Sequence, residues 1–390
     1  MTKERRWWQT PQLRMSDEEE ERRVSWLELF FDLIFVVIVS ELAHSLAGHV
    51  TWAGVGAFIL LFIPAWWMWI GGTFYNSRFE TFDVSYRLFT LLQIVAVAAM
   101  AIFIHDGAGK TSVPFALAYA GARVLIIAMW LRGGYHVPIM RPITTRYAIG
   151  FTLSVALFVA SIFVAPPLRF VLWGIGLFSD LVTPLTTAQL QASLPRLSNV
   201  KLPERYGLFV IIVLGEAIVA VIRGMAADEG LTLALAFNGL LGIILAFGLW
   251  WIYFDFIARR HPRSSIWQLL SWSYLHLPLV MGIAAISAAL SKALPLHESD
   301  LTANLRLLLA GSVSFVLLVT GLIELTLRRE ADEPTDHRVS FALKAAASGV
   351  ALALGLFGAG INITTLLILL VLLIVVQMVY AVYVWFNQNT

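Results

Sequence analysis

Residues Ser25–Ala47 read SWLELFFDLIFVVIVSELAHSLA, and this stretch decides the class of protein. A helix needs about 20 mostly apolar residues to cross the hydrocarbon core of a bilayer, which is about 30 Å thick, and the stretch is long enough. It also contains Glu28, Asp32 and Glu41, and it lacks the small-residue exit of a cleaved signal peptide. We therefore expect it to remain in the protein as the first membrane helix.

Similar apolar segments of about 17 to 27 residues follow along the chain and give about twelve in all. The 390 residues are 59% hydrophobic and 13% charged, whereas soluble domains are about 25% charged. The predicted fold class is all-α, a polytopic transmembrane bundle of about twelve helices. Two separations are short: residues 165–167 divide the fifth segment from the sixth, and residues 358–363 divide the eleventh from the twelfth.

The distribution of basic residues predicts the orientation. Most Lys and Arg side chains fall in tails, loops and helix ends that are cytoplasmic if the N-terminus is inside, as the positive-inside rule requires. We expect a multi-pass protein of the inner (plasma) membrane with cytoplasmic N- and C-termini, in which residues 1–24 form a polar tail. The net charge is +2 and the basic residues lie at helix ends, so no nucleic-acid partner is expected.

The chain contains an internal similarity. Leu33–Glu41 (LIFVVIVSE) resembles Leu208–Glu216 (LFVIIVLGE), and a double tryptophan follows in both halves, at Trp66 and at Trp250. This predicts a six-plus-six parallel pseudo-repeat of residues 25–200 and 201–390, with sites between the halves as in some transporters. Glu41 and Glu216 hold matching positions, and we expect them to face a shared centre.

Ionisable residues inside apolar helices are costly and usually functional, so they are the candidate site residues. As ion- or proton-handling candidates the sequence offers Glu28, Asp32, Glu41, His44, Arg123, Asp180, Glu204, Arg205, Glu216, Asp255 and His276. A functional interpretation is a proton or cation pathway, because buried carboxylates and histidine can exchange protons. The structural alternative is ion pairing between helices, for example of Arg123 with an acid or of Asp32 with Arg87.

No catalytic or cofactor pattern is present. The chain has no cysteine and lacks the nucleophile elbow, the phosphate-binding loop and the dinucleotide fingerprint. Glu41-x-x-His44 matches half of a di-iron site, but a second such motif is missing. We expect no enzyme activity, no cofactor and no bound metal.

Four motifs resemble those of the bacterial low temperature requirement A family: Arg22–Leu33 (RRVSWLELFFDL), Glu204–Glu216, Trp250–Asp255 and Tyr274–Pro278. Lys201 stands where the family pattern has a histidine. The resemblance implies a bacterial inner-membrane protein and carries no defined activity. Phe30–Phe35 is also similar to the first-helix motif of an endolysosomal potassium-channel family that uses six-helix repeats, which keeps a channel among the alternatives.

The preferred function is a cation- or proton-linked transporter or channel. Its ion-handling set would be Asp32, Glu41, Glu216, Asp180 and His276, with Arg123 as the internal counter-charge. The alternative is a membrane protein without transport activity, with a structural, lipid-adaptation or sensor role. The expected partners are the lipid bilayer and a proton or small cation, and the sequence leaves the oligomeric state open.

Pairing is expected at the inner end of the first helix. Glu28 and Asp32 are four residues apart and share one helix face. Because an unpaired buried acid is costly, we expect one of them to lie within ion-pair reach of Arg87, Arg205 or Lys344.

The predicted topology can be tested with reporter fusions. Reporters placed after Arg146 and after Arg263 should read cytoplasmic, and a reporter at Asp228 should read external, because an even number of spans separates the first two from the N-terminus. A reversed reading at any of the three positions would show that the helix count is wrong.

Overall fold

The computed structural model describes residues 7–13, 25–80, 83–194, 201–227, 230, 232–296, 301–329 and 335–387. Within this part of the chain it contains thirteen α-helices, of which the seventh is short. They are α1 Trp26–Gly48, α2 Trp52–Arg78, α3 Val84–Ile104, α4 Ser112–His136, α5 Arg141–Ser161, α6 Leu168–Thr186, α7 Ala188–Ala192, α8 Lys201–Ala226, α9 Leu233–Tyr253, α10 Ile266–Ala293, α11 Ala303–Glu324, α12 His337–Phe357 and α13 Ile363–Asn387.

Twelve helical stretches are long and apolar enough to cross a membrane, which confirms the predicted fold class. The two short separations are also confirmed, since α5 ends at Ser161 before α6 begins at Leu168, and α12 ends at Phe357 before α13. Large apolar side chains such as Val95, Ile102 and Val379 are exposed on these helices. An apolar exterior of this kind suits a lipid environment.

The chain divides into two compact units. The first contains residues up to Glu41 together with Ile59–Arg205, and the second contains Leu42–Phe58 together with Tyr206–Thr390. In the first unit α4 packs against α3 and α5, and α5 packs against α6. In the second unit α11 packs against α10 and α12, and α9 packs against α13. The predicted pseudo-repeat of residues 25–200 and 201–390 stays a prediction.

Small residues allow helices to approach closely inside each unit. A Cβ atom added to Gly150 of α5 would collide with the hydroxyl of Thr183 of α6. In the second unit, a Cβ atom added to Gly282 of α10 would collide with Val316 of α11. Close backbone approach over small residues is the usual packing mode of membrane helices. These contacts hold the helices that carry the buried charges at fixed distances from one another.

An N-terminal strap, residues 7–13, is bound to the first unit near the connection between α2 and α3. Its strand β1 (Gln12–Leu13) pairs antiparallel with β2 (Phe79–Glu80). The Gln9 backbone N–H donates to Asp83 Oδ2 at 2.7 Å, and Arg132 Nη2 donates to the Gln9 carbonyl at 2.7 Å. Asp83 is therefore the polar centre to which the strap is attached.

Asp83 also caps α3. Its Oδ1 accepts the Tyr86 backbone N–H at 3.0 Å, and its Oδ2 accepts the Ser85 hydroxyl at 2.6 Å. Burial alone would raise the pKa of this carboxyl, but the hydrogen bonds from Ser85, Gln9 and Tyr86 and the charge of Arg132 hold the pKa below its ordinary value. A lowered pKa means that the ionised carboxylate stabilises the fold at neutral pH, and that this stabilisation is lost as the pH falls through the folded-state pKa.

This role predicts the effect of substitution at Asp83. Asp83→Ala should lower the free energy of unfolding by about 1–2 kcal/mol because the cap is lost, whereas Asp83→Asn should retain most of the cap. Thermal unfolding in detergent measures both. The wild type should unfold at a higher temperature than Asp83→Asn at neutral pH. This difference should shrink as the pH falls below about 4, where the carboxyl becomes protonated first in the unfolded state and then in the folded state. Equal losses for the two variants at neutral pH would show that charge, and not capping, is the main contribution.

Candidate functional site

The two most specific sequence motifs meet in the first unit, at the starts of α1 and α8. Ser25 and Glu28 form a reciprocal capping box, in which the Ser25 N–H donates to Glu28 Oε2 at 2.9 Å and the Glu28 N–H donates to Ser25 Oγ at 3.3 Å. This fixes the Glu28 carboxylate at the first turn of α1. Lys201 and Arg205 are four residues apart, so one face of α8 presents two cations to the two acids of α1.

The four charges form a buried cluster, which we call the α1–α8 charge cluster (Glu28, Asp32, Lys201 and Arg205). Lys201 Nζ lies 2.9 Å from Glu28 Oε1, and Arg205 Nη2 lies 3.0 Å from Asp32 Oδ1. Arg205 Nη1 is also 3.9 Å from Glu28 Oε1, so its guanidinium stands between both acids. Two negative and two positive groups balance one another, as burial requires.

The predicted pairing of Asp32 with Arg205 is confirmed, and the partnership of Lys201 with Glu28 was missed. Arg87, the other proposed partner of Asp32, is exposed. Lys344 belongs to the second unit, where it pairs with Glu324. The signal for Lys201 was available in the sequence, since it lies one helical turn before Arg205.

Asp32 differs from the other buried carboxylates in its hydrogen bonding. Its Oδ1 accepts two hydrogen bonds, one from Arg205 Nη2 and one from Trp69 Nε1 at 2.8 Å. Its Oδ2 is buried and has no hydrogen-bond partner, and the same is true of Nε and Nη1 of Arg205. Among the described residues, this is the one buried carboxylate oxygen without a partner. Unsatisfied buried polar atoms in a native fold call for an explanation, and one explanation is an ion or proton site.

In a second network of the first unit, both oxygens of the acid accept hydrogen bonds. Asp180 of α6 accepts hydrogen bonds from Tyr119 and Arg123 of α4 and from Ser154 of α5, the last at 2.8 Å. The guanidinium of Arg123 also lies 4.0 Å from the centre of the Phe151 ring. The predicted pairing of Arg123 with an acid is thus confirmed. Both oxygens of Asp180 are occupied, which is the arrangement expected of a structural ion pair.

A third network joins α11 and α12 in the second unit. Glu324 Oε2 accepts Lys344 Nζ at 3.0 Å and the Ser340 hydroxyl at 2.9 Å, and Glu324 Oε1 lies 3.4 Å from Arg260 Nη1. The ammonium of Lys344 stands 3.6 Å from the centre of the Phe256 ring. Sequence reasoning placed Glu324 and Lys344 within helices and did not include them among the site residues. Their occupied oxygens make this network structural as well.

His276 of α10 is completely buried in the second unit. Its Nδ1 is 2.7 Å from the Trp272 carbonyl oxygen, and its Nε2 is 3.0 Å from the Tyr253 hydroxyl. Because a carbonyl only accepts, Nδ1 carries a proton in this arrangement, and when the ring is neutral Nε2 accepts from the Tyr253 hydroxyl. A π-helical turn, Phe254–Ala258, directly follows Tyr253. Turns of this type are frequent at functional sites.

The remaining candidates differ in burial. Glu41 and Glu204 are half-buried and His44 is exposed, and their roles in handling an ion stay predictions. Asp255 lies 3.9 Å from Arg259 in a largely exposed pair. Within the described residues, no group of three or more His, Cys, Asp or Glu side chains could hold a metal ion.

Glu216 is buried, and its Oε1 lies 3.2 Å from Nη1 of Arg223 on the same helix. Glu41 belongs to the first unit and Glu216 to the second. The expectation that these two carboxylates face a shared centre stays a prediction.

The model of a family described as bacterial low temperature requirement A protein (LtrA) matches residues 23–381. A protein of Rhizobium meliloti (strain 1021), described as uncharacterized protein RA0937, is 29% identical over 289 residues, which cover 68% of either chain. No solved structure matches. The family match covers all three charge networks.

The networks of Asp180 and Glu324, in which both carboxylate oxygens are occupied, predict large stability losses on substitution. Asp180→Asn should leave Arg123 buried and uncompensated, and should lower the free energy of unfolding by about 3–5 kcal/mol. Glu324→Gln should act in the same way on Lys344. Asp106→Asn is the matched control, because Asp106 is exposed between α3 and α4. Melting temperatures in detergent measure all three, and a control loss as large as the others would contradict the assignment.

Proposed function

The chain belongs to the bacterial low temperature requirement A family, and we propose that this membrane protein is a proton- or cation-linked transporter or channel in which Asp32 binds the ion. The supporting observation is the buried Oδ2 of Asp32, which has no hydrogen-bond partner. Other buried carboxylates with a described network, such as Asp180 and Glu324, have both oxygens occupied. A carboxylate oxygen that has no hydrogen-bond partner can accept an ion without losing an existing hydrogen bond.

Arg205 has a second acid, Glu28, with which it could pair if its attraction to Asp32 weakened. When a positive charge is added at Oδ2, the attraction between Asp32 and Arg205 weakens. Glu28 is then the nearest acid for Arg205, since Nη1 is already 3.9 Å from its Oε1. Ion binding would therefore transfer Arg205 from Asp32 towards Glu28. Because Glu28 and Asp32 lie on α1 and Arg205 on α8, this transfer alters the contact between two helices.

The proposal includes a location. The protein would lie in the inner membrane with both termini cytoplasmic, so that the α1–α8 charge cluster stands near the inner face. Its partners would be the lipid bilayer and a proton or small cation, without a nucleic acid, a cofactor or a catalysed reaction. The distribution of Lys and Arg residues supports this orientation.

The rival function is a structural, lipid-adaptation or sensor role in which the charges only connect helices. The satisfied networks of Asp180 and Glu324 favour it, because they resemble structural ion pairs. The two functions differ in what they predict for a variant in which the Asp32 carboxylate is replaced by a carboxamide. A transporter or channel would lose flux per folded molecule, whereas a structural protein has no flux to lose.

Asp32→Asn tests the proposal. Asparagine keeps the size and the Oδ1 acceptor for Trp69 Nε1 and Arg205, but it cannot bind a proton or a cation at the second position. Purified wild type, Asp32→Asn and Asp106→Asn should be reconstituted in liposomes, and the flux of protons, Na⁺ and K⁺ measured per folded molecule. We expect flux for the wild type and for Asp106→Asn, and background flux for Asp32→Asn.

Two results would count against it. Equal flux for Asp32→Asn and the wild type would exclude Asp32 as the ion site. Absence of flux in the folded wild type for all three ions would support the structural role.

A further inference from the structure

We infer that the ion bound at Asp32 is a proton and not an alkali-metal cation, an inference that rests on the proposed function and names its ion. The groups that contact the Asp32 carboxylate carry the argument. Asp32 receives N–H donors from Trp69 and Arg205, and the neighbouring atoms without partners, Arg205 Nε and Nη1, are also donors. A proton needs one oxygen with a free lone pair, whereas a metal cation needs a shell of several oxygens.

The described helices that carry Asp32, Trp69 and Arg205 have no unwound turn beside these residues that would offer backbone carbonyls for such a shell. In membrane transporters, the carbonyls that hold cations come from unwound or broken helices. Here α1 runs without interruption from Trp26 to Gly48 through Asp32, and α8 runs from Lys201 to Ala226 through Arg205. In α2 the interruption is Pro64, which leaves the carbonyl of Leu60 without its helical donor. That carbonyl is nine residues before Trp69, about 13 Å along the helix axis.

The permanent charge of Arg205 opposes a second cation. A guanidinium remains charged at every accessible pH, and its Nη2 is 3.0 Å from Asp32 Oδ1. A bound Na⁺ or K⁺ would stand close to it without donating or accepting a hydrogen bond. A proton instead forms an O–H bond with Oδ2 and converts the carboxylate to a neutral carboxylic acid, so that no separate cation stands beside the guanidinium.

The titratable and charged groups around Asp32 come from three helices. Glu28 lies on α1, Lys201 and Arg205 on α8, and Tyr86 of α3 interacts electrostatically with Glu28 and Arg205. In this step a hydronium ion transfers one proton to Asp32 Oδ2: an O–H bond of the hydronium breaks, the O–H bond of the carboxylic acid forms, and the α1–α8 charge cluster changes from neutral to +1. Arg205 then has one ionised acid within reach, Glu28, and shares it with Lys201.

Two independent measurements test the inference. In liposomes, proton entry is followed with a trapped pH-sensitive dye, and Na⁺ and K⁺ entry with trapped ion-selective dyes. We expect proton flux that is lost in Asp32→Asn and kept in Asp106→Asn. Flux of Na⁺ or K⁺ that requires Asp32, without proton flux, would overturn the inference and leave the proposed function standing. Absence of any ion flux would instead defeat the proposed function.

The second measurement does not depend on transport. Infrared spectra of the protein in detergent are recorded across the pH range in which it stays folded. We expect the carbonyl band of a protonated carboxylic acid to appear on acidification in the wild type and in Asp106→Asn, and to be absent in Asp32→Asn. Exchange of Na⁺ for K⁺ or for a large organic cation should leave the band unchanged. A band that Na⁺ or K⁺ suppresses, or no band assignable to Asp32 at any pH, would overturn the inference.

Discussion

A charged side chain buried among apolar helices must be neutralised by a neighbour, because removing an ion from water costs several kcal/mol. Three networks in the described part of this chain meet the requirement between helices, and the first two of them join helices that are not consecutive along the chain. Asp32 and Arg205 connect α1 to α8, Asp180 and Arg123 connect α6 to α4, and Glu324 with Lys344 connects α11 to α12. Apolar surfaces pack in many ways, but a buried charge accepts few neighbours. The charges therefore select which helices lie side by side within a unit.

Local structure places these charges before the helices meet. The capping box of Ser25 and Glu28 sets the first turn of α1, and the four-residue spacing in both motifs brings each pair to one helix face. The adjacent glycines of α2 make room on both sides. A Cβ on Gly71 would lie 3.5 Å from Arg123 Nη1, and one on Gly72 would lie 3.3 Å from Phe31 Cε1. The backbone of α2 thus lies beside a buried cation on one side and beside α1 on the other.

Much of the fold could be predicted from the sequence, because span length and the apolar pattern are local properties. Even the short separation of α5 from α6 at Pro166 and Pro167 could be predicted. The choice of partners was less predictable: Arg87 and Arg205 were equal candidates for Asp32, but helix rotation leaves Arg87 exposed and buries Arg205. The open oxygen of Asp32 could not be predicted at all, because it follows from counting donors around each atom.

The α1–α8 charge cluster is neutral as it stands, and in the proposed mechanism this neutrality couples protonation to helix packing. A proton on Asp32 leaves the cluster with an excess positive charge beside the N-termini of α1 and α8, whose helix dipoles are positive as well. The excess is relieved only if Arg205 or Lys201 moves away from its present neighbours. In that mechanism, an arrangement in which a shift of α8 carries Arg205 away from the protonated Asp32 binds the proton more tightly than the present one. By linkage, the proton favours that shifted arrangement by the same free energy. The open oxygen and the shared guanidinium are thus two parts of one coupling device, and neither would suffice alone.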